Sequence, residues 1–248
     1  FHMHHLAPEQ RFMKHANKSY LDWAKEVGFI GSADPIIFQL YLEPLQKFRL
    51  AARGHGAVVP PVSHRKRIDA FFDPIPFWYA PFEGAVLDQS EFPMYAITQR
   101  PMAMYHSWDS QNAWLRQIHT YNTLHINTQT ARALAITDGD WVWVESQWGR
   151  VRCRAAHSQA VEPGTVWTWN AIGKAAGAWN LAPDANESRD GFLLNHLISE
   201  ELPVRGSDAR ISNSDPVTGQ AAWYDVRVRV VKAEPGEPER TEPQFQPM

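Results

Sequence analysis

Across 248 residues the chain carries 24 Lys and Arg against 27 Asp and Glu, so it lacks the basic surplus that neutralises nucleic-acid phosphates. Its 44% hydrophobic content suits a folded chain with a sizeable core rather than disorder. The single cysteine, Cys153, excludes an internal disulfide and any cysteine-built zinc or iron–sulfur centre within this stretch.

From Glu9 to Val27, apolar residues recur at the three-to-four spacing of an amphipathic helix, which Gly28 ends. Asp34 before Pro35 reads as the opening of a second helix, running toward Arg53, kinked at Pro44 and stopped at Gly54. Residues 55–93 hold six prolines among aromatic anchors such as Phe71, Phe77 and Trp78, and read as an extended connector with a domain boundary near residue 92. No window reaches the roughly 20 apolar residues of a membrane span, so the chain is not expected to cross a membrane itself.

After Phe92 the helical period gives way to short strands at 94–99, 123–127, 140–146, 150–157, 164–169 and 223–232. A hairpin is clearest where Trp141–Ser146 meets the Gln147-Trp148-Gly149 turn and the alternating Arg150, Arg152 and Arg154. A short helix at 130–135 precedes the Asp138-Gly139 turn, and a helix-like run spans 192–200 inside the long polar stretch 173–220. The Pro- and Glu-rich tail from 234 reads as disordered. The expected class is mixed α and β: a helical segment and connector over 1–92, a mainly β domain over 93–233, and a tail over 234–248.

No phosphate loop, nucleophile elbow, zinc-ligand spacing or dinucleotide glycine fingerprint occurs. Polar clusters stand instead at strand ends: Gln99-Arg100, His106 to Asn112, Trp169-Asn170, Asn195-His196 and Asn213 to Gln220. Amides, hydroxyls and imidazoles beside a guanidinium suit a polar heterocycle that carries phosphates, because they bond ring edges while arginine neutralises an oxyanion.

The strings Tyr95-Ala-Ile-Thr-Gln-Arg-Pro-Met, Tyr105-His-Ser-Trp-Asp-Ser-Gln-Asn, Ala131 to Asp140, Gly149-Arg-Val and Glu162-Pro-Gly-Thr-Val resemble, in order and spacing, the terminal domain of molybdopterin oxidoreductases of the dimethyl sulfoxide reductase family. The resemblance covers about residues 92–232 and implies a double-psi β-barrel that binds a molybdopterin guanine dinucleotide (bis-MGD) holding molybdenum or tungsten. It identifies residues 1–91 with the end of a preceding catalytic portion. Trp167 to Lys174, Gly191 to Ile198 and Ser212 to Asp225 resemble more specifically the large subunits of membrane-associated sulfite dehydrogenases. Polysulfide and thiosulfate reductases share the His-Ser and Asn loops and remain alternatives.

The resemblance implies oxidation of sulfite, a small inorganic sulfur substrate, with electrons leaving to quinone through two partners, an iron–sulfur electron-transfer subunit together with a membrane anchor subunit. It also implies a cytoplasmic place, peripheral on the inner membrane. The metal ligand and iron–sulfur cysteines are expected upstream of Phe1, in a longer polypeptide, so that this chain alone would be inactive. Position by position, Gln99, Arg100, His106, Ser107, Ser110 and Gln111 match the loop that lines the dinucleotide and pterin. Asn195 matches the second cofactor loop, and Asn213, Gln220 and Tyr224 match the last loop and strand, although several relatives carry Lys where Tyr224 stands. Asn170 ends a strand near the same rim.

Plainer readings stand beside these: a buried His106, a surface Arg100, and a simple turn over Asn213–Gly219. Trp141 and Trp143 read as packing, and Cys153 as an inert buried thiol. From other functional classes come an aromatic-rich β binding module using exposed tryptophans such as Trp148, and a scaffold docking through residues 71–82.

Overall fold

The structure is a computed structural model that describes residues 22, 23, 26, 27, 42–105, 108, 109, 112–119, 121–170, 172, 182, 184, 191–204, 208–221, 225–237, 244 and 245. Contacts divide the chain into two units, Phe1–Tyr79 and Ala80–Met248.

In the first unit the helix expected over 9–27 lies almost wholly outside the described residues. Helix α1 (Glu43–Ala52) begins where a kink was expected, because Leu42 is extended and Pro44 falls in the first turn. There a missing N–H costs no intrahelical bond, so proline starts the helix instead of bending it. The expected stop is present, with Gly54 at φ 92°. A second helix, α2 (Val62–Phe71), occupies the stretch read as connector. Its sequence is charged rather than amphipathic, and it is held to α1 by Arg49 and Arg53. Arg49 Nε donates to the Asp69 carbonyl at 3.0 Å and Nη1 to Asp73 Oδ2 at 2.7 Å, while Arg53 Nε donates to Asp69 Oδ1 at 2.6 Å. Phe48 meets Phe72 edge to face beneath these contacts.

The second unit is built on six strands that match the predicted ones within about three residues: β1 (Met94–Gln99), β2 (Thr123–Asn127), β3 (Trp141–Glu145), β4 (Gly149–Ser158), β5 (Thr165–Trp169) and, after the short pair β6 (Glu201–Pro203) and β7 (Arg210–Ser212), β8 (Val226–Lys232). They pair in the order β2-β5-β1-β8-β3-β4, and β4 pairs again with β2, so the sheet closes into a barrel. β1–β5 and β2–β4 are parallel and the other four pairings antiparallel. This is the mainly β, barrel-type domain expected.

Alternate residues fill the interior. Leu124 opposes Ala155, Ile126 opposes Val166, Ala96 opposes both Val166 and Val226, and Val144 opposes both Val151 and Val230. All but Ala155 and Val230, at 2% and 3% exposed, are fully buried. Cys153 joins this layer, and burial pushes its thiol far above the usual range, which fits the inert role expected of it. Helix α4 (Ala113–Arg116) is capped by Asn112, and α5 (Thr128–Ala133) by Asn127 at the end of β2. Residues 194–197 form a single 3₁₀ turn within the run read as helix-like.

Helix α3 (Phe82–Val86) also packs in this unit, so the contact division falls at Tyr79/Ala80 while the change in sequence pattern falls near 92. Leu87, with Phe82 and Val86, packs against Trp148 and Leu202. Asp225 Oδ2 accepts from the Glu83 amide at 3.0 Å, and Trp148 Nε1 donates to Glu83 Oε1 at 3.1 Å. Glu83 is fully buried, and burial pushes its carboxyl up to about 7, reinforced by Asp225 and opposed by Trp148 and Arg227.

The tail read as disordered contributes contacts as well. Glu237 Oε2 accepts from Trp143 Nε1 at 2.9 Å, its carbonyl accepts from Arg152 at 2.8 Å, and β9 (Gln244–Phe245) pairs with β4. Tryptophan and arginine donors on the barrel's outer face thus hold Glu237.

Two outcomes follow from this packing. Glu83 holds a proton in the folded chain between its ordinary pKa of 4.5 and about 7, whereas the unfolded chain has lost it there, so stability falls as pH rises through that window. Glu83→Gln, which keeps an acceptor for Trp148, is expected to flatten this slope, gaining up to ~3 kcal/mol over the parent at pH 8 and little at pH 4.5, read by denaturant unfolding at both pH values. Leu124→Ala is expected to cost about 2–5 kcal/mol in the same assay, because the closed barrel leaves little room for collapse.

Candidate functional site

Strand direction in a closed barrel decides which residues share an end. The C-terminal ends of β1, β3 and β5 and the N-terminal ends of β2, β4 and β8 point toward one pole, the rim. Gln99 opposes Trp169 in the β1–β5 register, and the Asn170 amide donates to the Gln99 carbonyl at 2.8 Å. Gln99, Arg100 and Asn170 are therefore brought together at the rim, with Gln99 and Arg100 exposed to solvent.

Asn195 is exposed on the 3₁₀ turn, while its neighbours Leu194 and Leu197 are buried in the core. Phe192, three residues earlier, offers its carbonyl to Asn122 Nδ2 at 3.2 Å, and the same Nδ2 donates to the Trp169 carbonyl at 2.9 Å. Asn195 thus belongs to a segment tied to the rim end of β5. Asn213 is buried, with its amide bonded to the Glu200 carbonyl at 2.8 Å and its Nδ2 to the Ser199 carbonyl at 3.0 Å. Its Oδ1 has no partner among the described residues. A buried acceptor left open in this way is a place for a ligand donor.

Gln220 is exposed and closes a turn built around Asp215, whose Oδ1 accepts from Val217, Thr218 and the Thr218 hydroxyl. The turn reading of Asn213–Gly219 and an exposed polar loop hold together here, with Gly219 at φ 73°. The chain then enters β8 at the rim. His106, Ser107, Ser110, Gln111 and Tyr224 lie outside the described residues.

The sequence reading missed Asn122. It is 1% exposed and stands one residue before β2, where the alternation of Thr123 to Asn127 hides it as an ordinary loop asparagine. The signal available was the recurrence of Asn at both ends of one short strand, since Asn127 is buried as well. Beside the rim, His125 stacks on Trp167 at 3.8 Å between ring centroids, and Trp169 meets Trp167 edge-on at 4.8 Å. Burial holds the His125 imidazole below its ordinary pKa, which keeps it neutral at pH 7. Exposed rings of Tyr105 and Trp108 follow in the loop after β1, and that of Trp114 on α4.

Trp148 does not serve an exposed recognition face: it is 9% exposed and packs on Leu87 and Leu202. Trp141 and Trp143 are covered by arginines, Arg150 over Trp143 at 4.0 Å and Arg154 over Trp141 at 4.6 Å, which bears out packing rather than ligand stacking. A polar cleft of about 720 Å³ lined by Glu91, Glu145, Arg150 and Arg229 is filled with paired charges, Arg229 Nε reaching Glu145 at 2.6 Å. Its groups satisfy one another.

The family model of the molydopterin dinucleotide binding domain matches residues 94–203, which hold five of the six barrel strands, β1 to β5, and the short β6. The chain is 59% identical over 246 residues, 99% of its length, to a sulfite dehydrogenase subunit of Allochromatium vinosum. It is 31% identical over 58% of its length to dopamine dehydroxylase of Eggerthella lenta, and 29% identical over 62% to a putative dimethyl sulfoxide reductase catalytic subunit of Halobacterium salinarum. It spans 25% of the length of the first of these proteins, 13% of the second and 16% of the third. Barrel and relatives agree: residues 94–203 are a molydopterin dinucleotide binding domain, carried on a chain similar along nearly its whole length to a sulfite dehydrogenase subunit.

Proposed function

We propose that this chain is the cofactor-binding portion of a molybdenum oxidoreductase that converts sulfite and water to sulfate, releasing two electrons and two protons. The observation that carries the reading is 59% identity along 99% of the chain to a protein named as a sulfite dehydrogenase subunit. A molybdopterin dinucleotide is the group such a domain takes, and the residues present fit it. Arg100 brings a guanidinium for a phosphate, Gln99 and Asn195 bring exposed amides for ring edges, and Asn213 Oδ1 offers a buried acceptor for a ring N–H.

The cofactor in this reading is the guanine form, bis-MGD, with molybdenum, and when bound it supplies the two-electron chemistry. The chain's own residues hold and orient it. Gln99 and Arg100 form one wall, Asn170 and Asn195 a second, and Asn213 and Gln220 a third, and the reading assigns His106, Ser107, Ser110, Gln111 and Tyr224, which lie outside the described residues, to the same cofactor. The low pKa of His125 leaves a neutral imidazole stacked on Trp167 beside the rim, adding no charge next to an anionic ligand. Electrons pass first to an iron–sulfur subunit, then to quinone through a membrane anchor subunit, which places the assembly at the cytoplasmic face of the inner membrane. Among the described residues no helix is long and apolar enough to cross a membrane.

The test uses the intact polypeptide that carries this sequence, purified with its partners. Molybdenum, pterin and acid-released GMP in the preparation, with sulfite-dependent reduction of an artificial acceptor, are expected. Metal-free, pterin-free material would overturn the reading, and turnover of polysulfide or thiosulfate without sulfite oxidation would replace its substrate. Arg100→Ala is expected to weaken cofactor retention by about 10-fold or more, through loss of a charge-assisted bond to phosphate, measured as GMP released per polypeptide.

A further inference from the structure

The β2–β5 ladder pairs His125 with Trp167 and Ile126 with Val166, and is not continued to Trp169 at the rim. There a side chain takes the place of a strand. Asn122 Oδ1 accepts from the Trp169 amide at 3.3 Å, and its Nδ2 donates to the Trp169 carbonyl at 2.9 Å. One carboxamide thus bonds both backbone groups of the last β5 residue, as a peptide unit of a neighbouring strand would. A peptide unit has a single N–H, whereas the asparagine amide has two, and the second bond from Nδ2 runs to the Phe192 carbonyl at 3.2 Å.

Both partners of Asn122 adjoin residues assigned above to the cofactor. Trp169 precedes Asn170, whose amide is fixed in turn to the Gln99 carbonyl, and Phe192 opens the segment that ends at Asn195. We propose that Asn122 is a positioning residue for the dinucleotide: one buried amide that fixes the end of β5 against the Phe192–Asn195 segment and so sets the spacing of Asn170 and Asn195 within one cofactor wall. The inference rests on the reading of Asn170 and Asn195 as cofactor contacts. Asparagine is required by the pattern of bonds, because aspartate keeps the acceptor but has no N–H for either carbonyl, and leucine offers neither.

The same strand supplies the control. Asn127, at the opposite pole, is 9% exposed and makes three bonds of similar kind, Nδ2 to the Val161 carbonyl at 2.7 Å and Oδ1 to the amides of Gln129 and Thr130 at 2.8 and 3.3 Å. Loss of Asn127 removes as many bonds without touching the rim. The experiment compares Asn122→Ala, Asn122→Asp, Asn127→Ala, Asn170→Ala and Asn195→Ala in the intact cofactor-loaded polypeptide. Two quantities are read: the melting temperature, and the rate at which pterin and guanine nucleotide leave the folded protein on dilution.

Both Asn122 variants are expected to release the cofactor about 10-fold or more faster than Asn127→Ala, at a comparable fall in melting temperature. Equal release rates for Asn122→Ala and Asn127→Ala would overturn the proposal, since stability alone would then account for both. Should Asn122→Ala not accumulate, Asn122→Asp, which conserves volume and one acceptor, carries the comparison. Parent-like release from both Asn170→Ala and Asn195→Ala would overturn the cofactor assignment itself and this inference with it. Accelerated release from those two, with Asn122→Asp and Asn122→Ala matching Asn127→Ala, would overturn the positioning role alone.

Discussion

The parallel pairing of β2 with β4 closes the six strands on themselves, and the rest of the second unit depends on that closure. An open sheet of the same strands would leave two edges and one face to be covered by other elements. Closed, it buries Leu124, Ile126, Val142, Val144, Val151 and Val166 completely, and each of the six strands has a partner on both sides. Closure also forces a polarity, because every strand then ends at one of two poles. Two of the polar strand-end clusters, Gln99-Arg100 after β1 and Trp169-Asn170 after β5, are sent to the same pole, where Asn122 stands before β2.

At that pole the backbone of the strand ends has to be satisfied without further strands. Asn122 does this for Trp169, Asp225 for the first turn of α3, and the Asn170 amide for Gln99. Side chains that finish a barrel in this way are fixed in place by several bonds at once, so the loops they hold are pre-organised. Rigid placement of this kind favours a large, multiply charged ligand, since each group already ordered lowers the entropy lost on binding. Asn213 differs, in that one of its atoms is left open.

The outer faces show another use of charge. Arg150 and Arg154 lie over Trp143 and Trp141, and Arg227 over Tyr95 at 4.0 Å with its Nε on the Phe92 carbonyl. The planar guanidinium shields aromatic surface while keeping its donors for oxygen partners. In the first unit α2 carries four charged residues in ten, and Arg49 and Arg53 grip it by Asp69, with Arg49 also on Asp73 just beyond its end. A helix held by specific ion pairs leaves no apolar stripe in its sequence, which is why periodicity missed α2.

By itself the sequence determined the class of the fold, the six barrel strands, the packing role of Trp141, Trp143 and Cys153, and the likeness to molybdopterin dinucleotide-binding proteins. Alternation of apolar residues is a local signal, and burial of one face of a strand leaves it in every sequence that makes such a strand. The chemistry of the site was also local, in the amides and the arginine at Gln99, Arg100, Asn170 and Asn195. Only the tertiary structure decided that Pro44 starts a helix, that Trp148 is buried against α3, that Glu237 is held by Trp143 and Arg152, and that Asn122 joins Trp169 and Phe192, 47 and 70 residues further along the chain. Each of these rests on a partner distant in sequence, and no window of neighbouring residues records which carbonyl an asparagine will meet once the barrel has closed.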